Sequence, residues 1–474
     1  MFGRFLSGRG AVVAALFSSV AVVAAQAGPP AKPNVIVVLV DDLGYGDLGC
    51  YGPKKVATPN LDRMAAEGMR FTDFYAGAAV CAPARSALLT GQHTGHTPLR
   101  DLGRYAVREK ADGEPPLPAE GPSLGCLMRE AGYVTGCIGK WGMGSVTSTG
   151  APKRQGFDFF VGYIGHGEAH EYFPKTLWRG EEKEPLPEGT YAPDVFAQET
   201  TAFLERNKDR PFFLYLTPTI PHFKLQVPSL GEYENKSGWS QSSRTRAAMI
   251  ARLDRDMGEL LDQLKKLGLS EKTLVLFTSD NGPTDERNVD LGFFDSTGGL
   301  RGQKRDLYEG GIRVPLIAWW PGVIKPGSVS SQIAAAWDIL PTLAALAGVK
   351  PPEGVDGISL VPILEGRETS IPRAPLYWEL VQRGGKQAVR DGRWKAVRLD
   401  VNRNADSPIE LYDLATDPRE ARDIAKQHPD IVRRMDALMK AAHQPSPVFP
   451  LLPDERAAAG VPPTDPKSDN PNKK

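Results

Sequence analysis

Cysteine is scarce in this chain. Four among 474 residues cannot make a disulfide scaffold. Net charge is absent: 57 Lys+Arg stand against 57 Asp+Glu. That balance excludes the broad basic surface that nucleic-acid or membrane-surface binding needs. After the first thirty residues no apolar run reaches the length of about 18 that a membrane span requires, so none is expected in the mature chain. Internal repeats are absent too. What is present is ordinary for a globular protein, 41% hydrophobic and 24% charged. At roughly 150 residues per unit, the length points to about three units.

The N-terminus reads as a processing segment. Arg4 and Arg9 precede the apolar run AVVAALFSSVAVVAA (11–25), and Ala25-Gln26-Ala27 offers a small-residue cleavage site. This is the pattern of a secretory signal peptide, here over 1–27, and it implies a periplasmic or secreted protein. Export makes a disulfide permissible, with Cys126 and Cys137 the candidate pair.

Four runs have the apolar, β-branched character of strands buried on both faces: 34–42, 211–218, 273–282 and 314–322. Helical spacing is found over 58–71, 123–133, 194–207 and 245–267, the last closed by Gly268. The alternation predicts an α/β fold, a large doubly wound sheet flanked by helices, over a catalytic domain at 33–370. Composition changes near 365–375. Short strands at 376–380, 387–392, 393–399 and 409–414, then a helix at 429–442, predict a small C-terminal α+β subdomain with antiparallel strands (371–445). A Pro-rich tail follows over 446–474, expected to lie partly on the body and to be disordered at its end.

Two of the buried strands end in polar pairs, Asp41-Asp42 and Asp280-Asn281. In open α/β sheets ligands bind beyond the carboxyl ends of strands. If the two strands are parallel neighbours, four oxygen donors converge. Three carboxylates so placed cannot all stay ionised without a cation, and an all-oxygen set suits Ca²⁺ or Mg²⁺. Taken singly, each pair would read as a turn or cap.

The most specific segment is CAPARSALLTG (81–91), a C-x-P-x-R motif followed by T-G at Cys81, Pro83, Arg85, Thr90 and Gly91. It resembles the formylglycine-dependent sulfatases of the alkaline phosphatase superfamily. VDDLGYGDLGCYG (40–52), GYVTGCIGKWG (132–142), FTSDNG (277–282), GQKRDLYEGGIRVP (302–315) and LYDLATDPREARDIA (411–425) extend the resemblance, in family order, over nearly the whole mature chain. It implies that a maturation enzyme oxidises Cys81 to formylglycine (3-oxoalanine). One hydroxyl of the hydrated aldehyde would attack sulfur, and loss of the proton on the other would let sulfate leave. It further implies Asp41, Asp42, Asp280 and Asn281 as Ca²⁺ ligands, with residue 81 completing the shell. Arg85, one helical turn from Cys81, would hold the diol. Lys140 and Lys304 would bind sulfate, and His222 would protonate the leaving group. Fixed cations in a dry pocket are what a transition state with charge on the leaving oxygen needs.

One departure stands out. Most members of the resembled family read G-K-W-H, with the histidine bonded to the formylglycine hydroxyl, whereas this chain reads Gly139-Lys140-Trp141-Gly142. His166 and His170 follow downstream, and either is a candidate to return the imidazole from another loop or to bind substrate. Glu168, Glu171, Tyr172, Trp178, Arg179 and Lys224 add polar and planar groups of the kind that suit a sugar. The resemblance to G-K-W-G carbohydrate sulfatases points to sulfated galactose or N-acetylgalactosamine units, with the 4-position a candidate. Two other readings compete. One is a phosphonate or phosphate ester hydrolase on the same fold, although no second His/Asp cluster for paired transition metals is evident. The other is an inactive protein that only binds sulfated glycans, against which the intact Cys81 motif speaks.

Overall fold

The computed structural model describes residues 1–3, 32–52, 55–102 and 115–463. The expected signal peptide falls almost wholly outside these, as does the end of the tail, 464–474.

The apolar run after Asn34 forms the Asn34–Val40 strand at the centre of a ten-stranded sheet. Its alternate side chains divide between two cores: Val35, Val37 and Leu39 face one, and Ile36, Val38 and Val40 the other. Each such burial contributes about 1.5–3 kcal/mol. The helices Pro59–Glu67, Ala192–Asn207 and Gln241–Lys266 cover the second face. Cys81–Thr90, Leu124–Glu130 and Ile339–Ala347 cover the first. The doubly wound α/β architecture is therefore present.

Across the sheet the strands run Ser328–Ser330, Met69–Phe71, Leu316–Trp319, Thr273–Ser279, Asn34–Val40, Phe212–Thr217, Val134–Lys140, Phe159–Tyr163, Thr176–Arg179 and Glu182–Pro185. The middle five, from Thr273–Ser279 to Phe159–Tyr163, are parallel. Leu316–Trp319, expected over 314–322, is shorter and runs antiparallel to its neighbours. The helix expected over 58–71 stops at Glu67, and after Gly68 the chain becomes the Met69–Phe71 strand. Helical spacing and strand alternation both fit so short a segment, and pairing with Leu316–Trp319 decides it.

The C-terminal part forms a four-stranded antiparallel sheet of Leu376–Leu380, Lys386–Asp391, Trp394–Leu399 and Ile409–Asp413. The helix Pro429–Ala442 packs Met435 and Met439 on one face. The other face packs Leu376, Trp378, Leu380, Ala388 and Val397 against Tyr75, Val80, Ala87, Tyr308 and Ile312. The small sheet thus leans on the segments around residues 81 and 304. Phe449 and Leu451, from the Pro-rich stretch, are buried in the main core.

All four cysteines are free, including Cys126 and Cys137. Cys137 points into the core from its strand, while Cys126 lies at the partly exposed side of its helix near the Arg154 carbonyl (3.6 Å).

Candidate active site

The strands Asn34–Val40 and Thr273–Ser279 are parallel neighbours, with Val40 opposite Ser279. Their polar pairs therefore leave the sheet side by side. The Asp280 N–H donates to the Val40 carbonyl (3.0 Å), and the Asp42 N–H to Asp280 Oδ1 (3.2 Å). Asp42 has φ +63°, in the left-handed region that aspartate enters more readily than most residues. This turn brings its carboxylate back beside Asn281, whose Nδ2 donates to Asp42 Oδ1 (2.7 Å).

Cys81 opens the Cys81–Thr90 helix and is buried. One carboxylate oxygen each of Asp41 and Asp42, the Cys81 Sγ and a ring nitrogen of His222 all lie within 4.8 Å of one another. Arg85, fully buried one turn along, donates to Asp280 Oδ2 (2.8 Å) and to the Lys140 carbonyl (3.0 Å), and lies 3.4 Å from Asp41 Oδ2. Lys140, the last residue of its strand, donates to Asp41 Oδ2 (2.7 Å). Lys304 donates to Asp42 (2.7 and 2.8 Å) and lies 3.2 Å from His222 Nε2. Three buried carboxylates thus face three buried cations.

Burial alone would raise every one of these carboxyl groups. At Asp41 the charges of Lys140, His222, Arg85 and Lys304 outweigh burial and hold it well below the usual range. Asp42 is lowered in the same way, chiefly by Lys304. Asp280 goes the other way: burial, with Asp41 beside it, pushes it up to about 7 against the pull of Arg85. Burial also pushes the Cys81 thiol up to about 12, despite Lys140 and Lys304, so it is not a thiolate at neutral pH.

Two acceptors fit a metal. Asp41 Oδ1 and Asn281 Oδ1 are buried and accept no hydrogen bond. The Asn281 amide group is oriented by its Nδ2, which donates to Asp42 and to the Gly282 carbonyl, leaving Oδ1 available. A hard divalent ion suits this oxygen set.

The histidines take distinct places. The Nδ1–H of His222 donates to the Phe223 carbonyl, so in the neutral ring Nε2 is an acceptor and faces the Lys304 ammonium. His170 stacks on His222, ring centroids 4.8 Å apart and planes nearly parallel, and touches Phe223. Burial and the His222 and Lys140 charges push it down to about 3. His166 instead sits over Gly142. A Cβ on residue 142 would meet its Cε1 at 2.8 Å, Nε2 at 3.1 Å and Nδ1 at 3.3 Å. Gly142 has φ +76° and is tied to the next strand's exit by its N–H to the Ile164 carbonyl (3.0 Å). Burial, then the Lys140 and Arg85 charges, hold His166 well below its ordinary value, so the ring is neutral.

Further out, the Trp178 indole N–H donates to Glu168 (3.0 Å), as does Lys183 (2.6 Å), and Lys224 pairs with Glu171 (2.9 Å) in exposed positions. Tyr172 is buried and donates to the Thr219 and His222 carbonyls, so it braces the His222 loop rather than facing solvent. Arg179 is engaged by Glu184 and Glu199. A second His/Asp cluster, His93, His96 and Asp356, lies away from this centre. His93 Nδ1 accepts from the Gly95 N–H, which leaves its Nε2 as the protonated nitrogen and disfavours metal ligation.

Fold and site together define a hydrolase of the alkaline phosphatase-like class. More narrowly, the chain belongs to the sulfatase family: the family model Sulfatase matches residues 33–349, and N-sulphoglucosamine sulphohydrolase, C-terminal, matches 299–444. Human arylsulfatase A is 36% identical over 438 residues, 82% of each chain. Dog N-acetylgalactosamine-6-sulfatase is 35% identical over 408 residues, 78% of this chain and 72% of its own. Among solved structures, Ps i-CgsB in complex with k-i-k-neocarrahexaose superposes with a TM-score of 0.78 at 29% identity, covering 91% of this chain and 98% of that one. The phosphonate monoester hydrolase of Agrobacterium radiobacter shares the fold alone (TM-score 0.63, 22% identity, 87% and 96% covered). The protein is accordingly a sulfuric ester hydrolase.

Proposed function

We propose that this protein is an exported carbohydrate sulfatase that acts through a formylglycine made from Cys81 and a Ca²⁺ ion. The observation that carries the reading is the convergence of Asp41, Asp42, Asp280 and Asn281 on a buried Cys81 ringed by Arg85, Lys140 and Lys304. The four oxygen residues would hold the ion, which adds positive charge at the sulfate. Converted and hydrated, residue 81 supplies a geminal diol, one hydroxyl to attack sulfur and a second whose deprotonation releases sulfate.

The chain's own residues do the rest. Arg85 orients residue 81 and Asp280 together. Lys140 and Lys304 bind the sulfate oxygens. His222 and Lys304 share a proton, because Nε2 faces the ammonium, so the pair can deliver it to the leaving oxygen. His166 occupies the space above Gly142 and is the ring we assign to residue 81, while His170, stacked outside His222, faces the sugar. Lys224 and Glu171 extend that wall.

For the substrate we favour a sulfated galactose or N-acetylgalactosamine unit of a polysaccharide. A relative named N-acetylgalactosamine-6-sulfatase and a neighbour solved in complex with k-i-k-neocarrahexaose support the class. The G-K-W-G resemblance makes the 4-position a candidate, and the relative's name adds the 6-position. Sulfate release from a panel of 4- and 6-sulfated galactose and N-acetylgalactosamine oligosaccharides tests it. Release from aryl sulfate alone, with none from any sugar, overturns the carbohydrate assignment.

The histidine assignment has its own test. His166→Ala is expected to lower kcat by about 10²–10⁴ and to be partly rescued by added imidazole. His170→Ala should act mainly on KM for the sugar substrate. The reverse pattern would transfer the role to His170.

A further inference from the structure

We infer that Lys386, on the small C-terminal sheet, is a positioning residue for Lys304. The inference rests on the reading of Lys304 as a sulfate-binding group. Lys304 stands outside regular structure, in the segment before the Glu309–Ile312 helix. Its N–H donates to the Pro283 carbonyl (2.8 Å), two residues beyond Asn281. The next N–H, of Arg305, donates to the Ala79 carbonyl (2.9 Å), two residues before Cys81. The backbone of Lys304 is thus stitched between the two segments that build the site.

Arg305 has φ +73°, the left-handed region that a residue with a long side chain enters at a cost. Surrounding structure must hold it there. The ammonium of Lys386 donates to the Arg305 carbonyl (2.7 Å) and to Asp306 Oδ1 (2.8 Å). The other oxygen of Asp306 accepts the Gln303 N–H (3.3 Å), closing the loop on itself. Lys386 is only 8% exposed, and a buried ammonium is tolerated where strong partners meet it. Both of these hydrogen bonds go to the two residues that follow Lys304.

A purely architectural role would be redundant. The small sheet is already fastened by its apolar face and by Lys395, buried between Glu309 (2.8 Å) and Glu420 (2.9 Å). What Lys386 adds is a fixed carbonyl beside Lys304, whose own ammonium must stay within reach of Asp42 and His222. Displacement by about an ångström at such a group costs on the order of a hundredfold in rate.

A double-mutant cycle tests this on the matured enzyme, with a chromogenic aryl sulfate and the state of residue 81 verified by mass in every variant. Lys386→Met should lower kcat/KM by about 10- to 100-fold, and Lys386→Arg should recover part of it. Lys304→Ala combined with Lys386→Met should be no slower than Lys304→Ala alone. If Lys386→Met does not fold, Asp306→Asn breaks the same clamp and should show the same dependence on Lys304. Losses that multiply in the double variant overturn the inference, as does activity within about twofold of the parent in the clamp variants. A Lys304→Ala enzyme as fast as the parent overturns the reading of Lys304 itself, and the inference with it.

Discussion

Single residues decide the electrostatics of this site. Each carboxylate at the two strand ends lies against a buried cation, Asp41 with Lys140, Asp42 with Lys304 and Asp280 with Arg85. A divalent ion held there, as proposed, would add positive charge, which suits a sulfate monoanion. Asp42→Asn should weaken Ca²⁺ binding at least about tenfold, measured by titration calorimetry on Cys81→Ala protein so that no turnover intervenes. Unchanged affinity would remove Asp42 from the ligand set. These oxygen donors were legible in the sequence because a polar pair, Asp41-Asp42 or Asp280-Asn281, at the end of an apolar run is a local signal. The division of labour between His166 and His170 was not. It depends on where the Phe159–Tyr163 strand delivers its following loop, and on a glycine whose missing side chain makes room for a ring from elsewhere. The glycine two residues after Lys140 and the two downstream histidines were legible in the sequence; which of the two rings fills the space over Gly142 was not.

At the scale of elements, the central parallel strands set the site because two of them end level with each other. Their apolar runs announced both. The Val134–Lys140 and Phe159–Tyr163 strands went unannounced, although the first carries Lys140. Glycines at 136, 139 and 162 dilute their β character, and close approach of neighbouring backbone explains these glycines: a Cβ on Gly162 would lie 1.8 Å from the Gly139 carbonyl oxygen. Leu39→Ala, in the core beneath the site, should cost about 2–5 kcal/mol in denaturant unfolding without altering residue 81. A loss under about 0.5 kcal/mol would mean the strand is not central to the core. Gly142→Ala should cost about 1–3 kcal/mol, because it combines a positive φ with a contact on His166, and it should lower kcat as the ring is displaced. A stable, fully active Gly142→Ala enzyme would contradict the placement of His166.

On the scale of the whole molecule, buried ionic links join the two sheets and the C-terminal segment. His443 lies between Glu379 (2.7 Å) and Glu455 (2.6 Å), and these carboxylates raise it to about 9 although burial opposes them. A group raised on folding stabilises while it is protonated. Its contribution is complete below the ordinary histidine range and is lost as pH rises through about 9. Melting temperature should therefore fall between about pH 7 and 10, and His443→Ala should flatten that fall. A wild-type profile unchanged by the substitution would contradict the link. The balance of charge over the chain now has a narrower meaning than its composition alone conveyed: an anionic substrate is met by a few buried cations rather than by a basic surface. The central claim, that this site works through a formylglycine at position 81, is tested most directly by a mass spectrum of the peptide containing Cys81. After coexpression with a maturation enzyme, the peptide should carry the thiol-to-aldehyde conversion in proportion to sulfatase activity. Full activity from protein whose residue 81 is an unmodified thiol would contradict it.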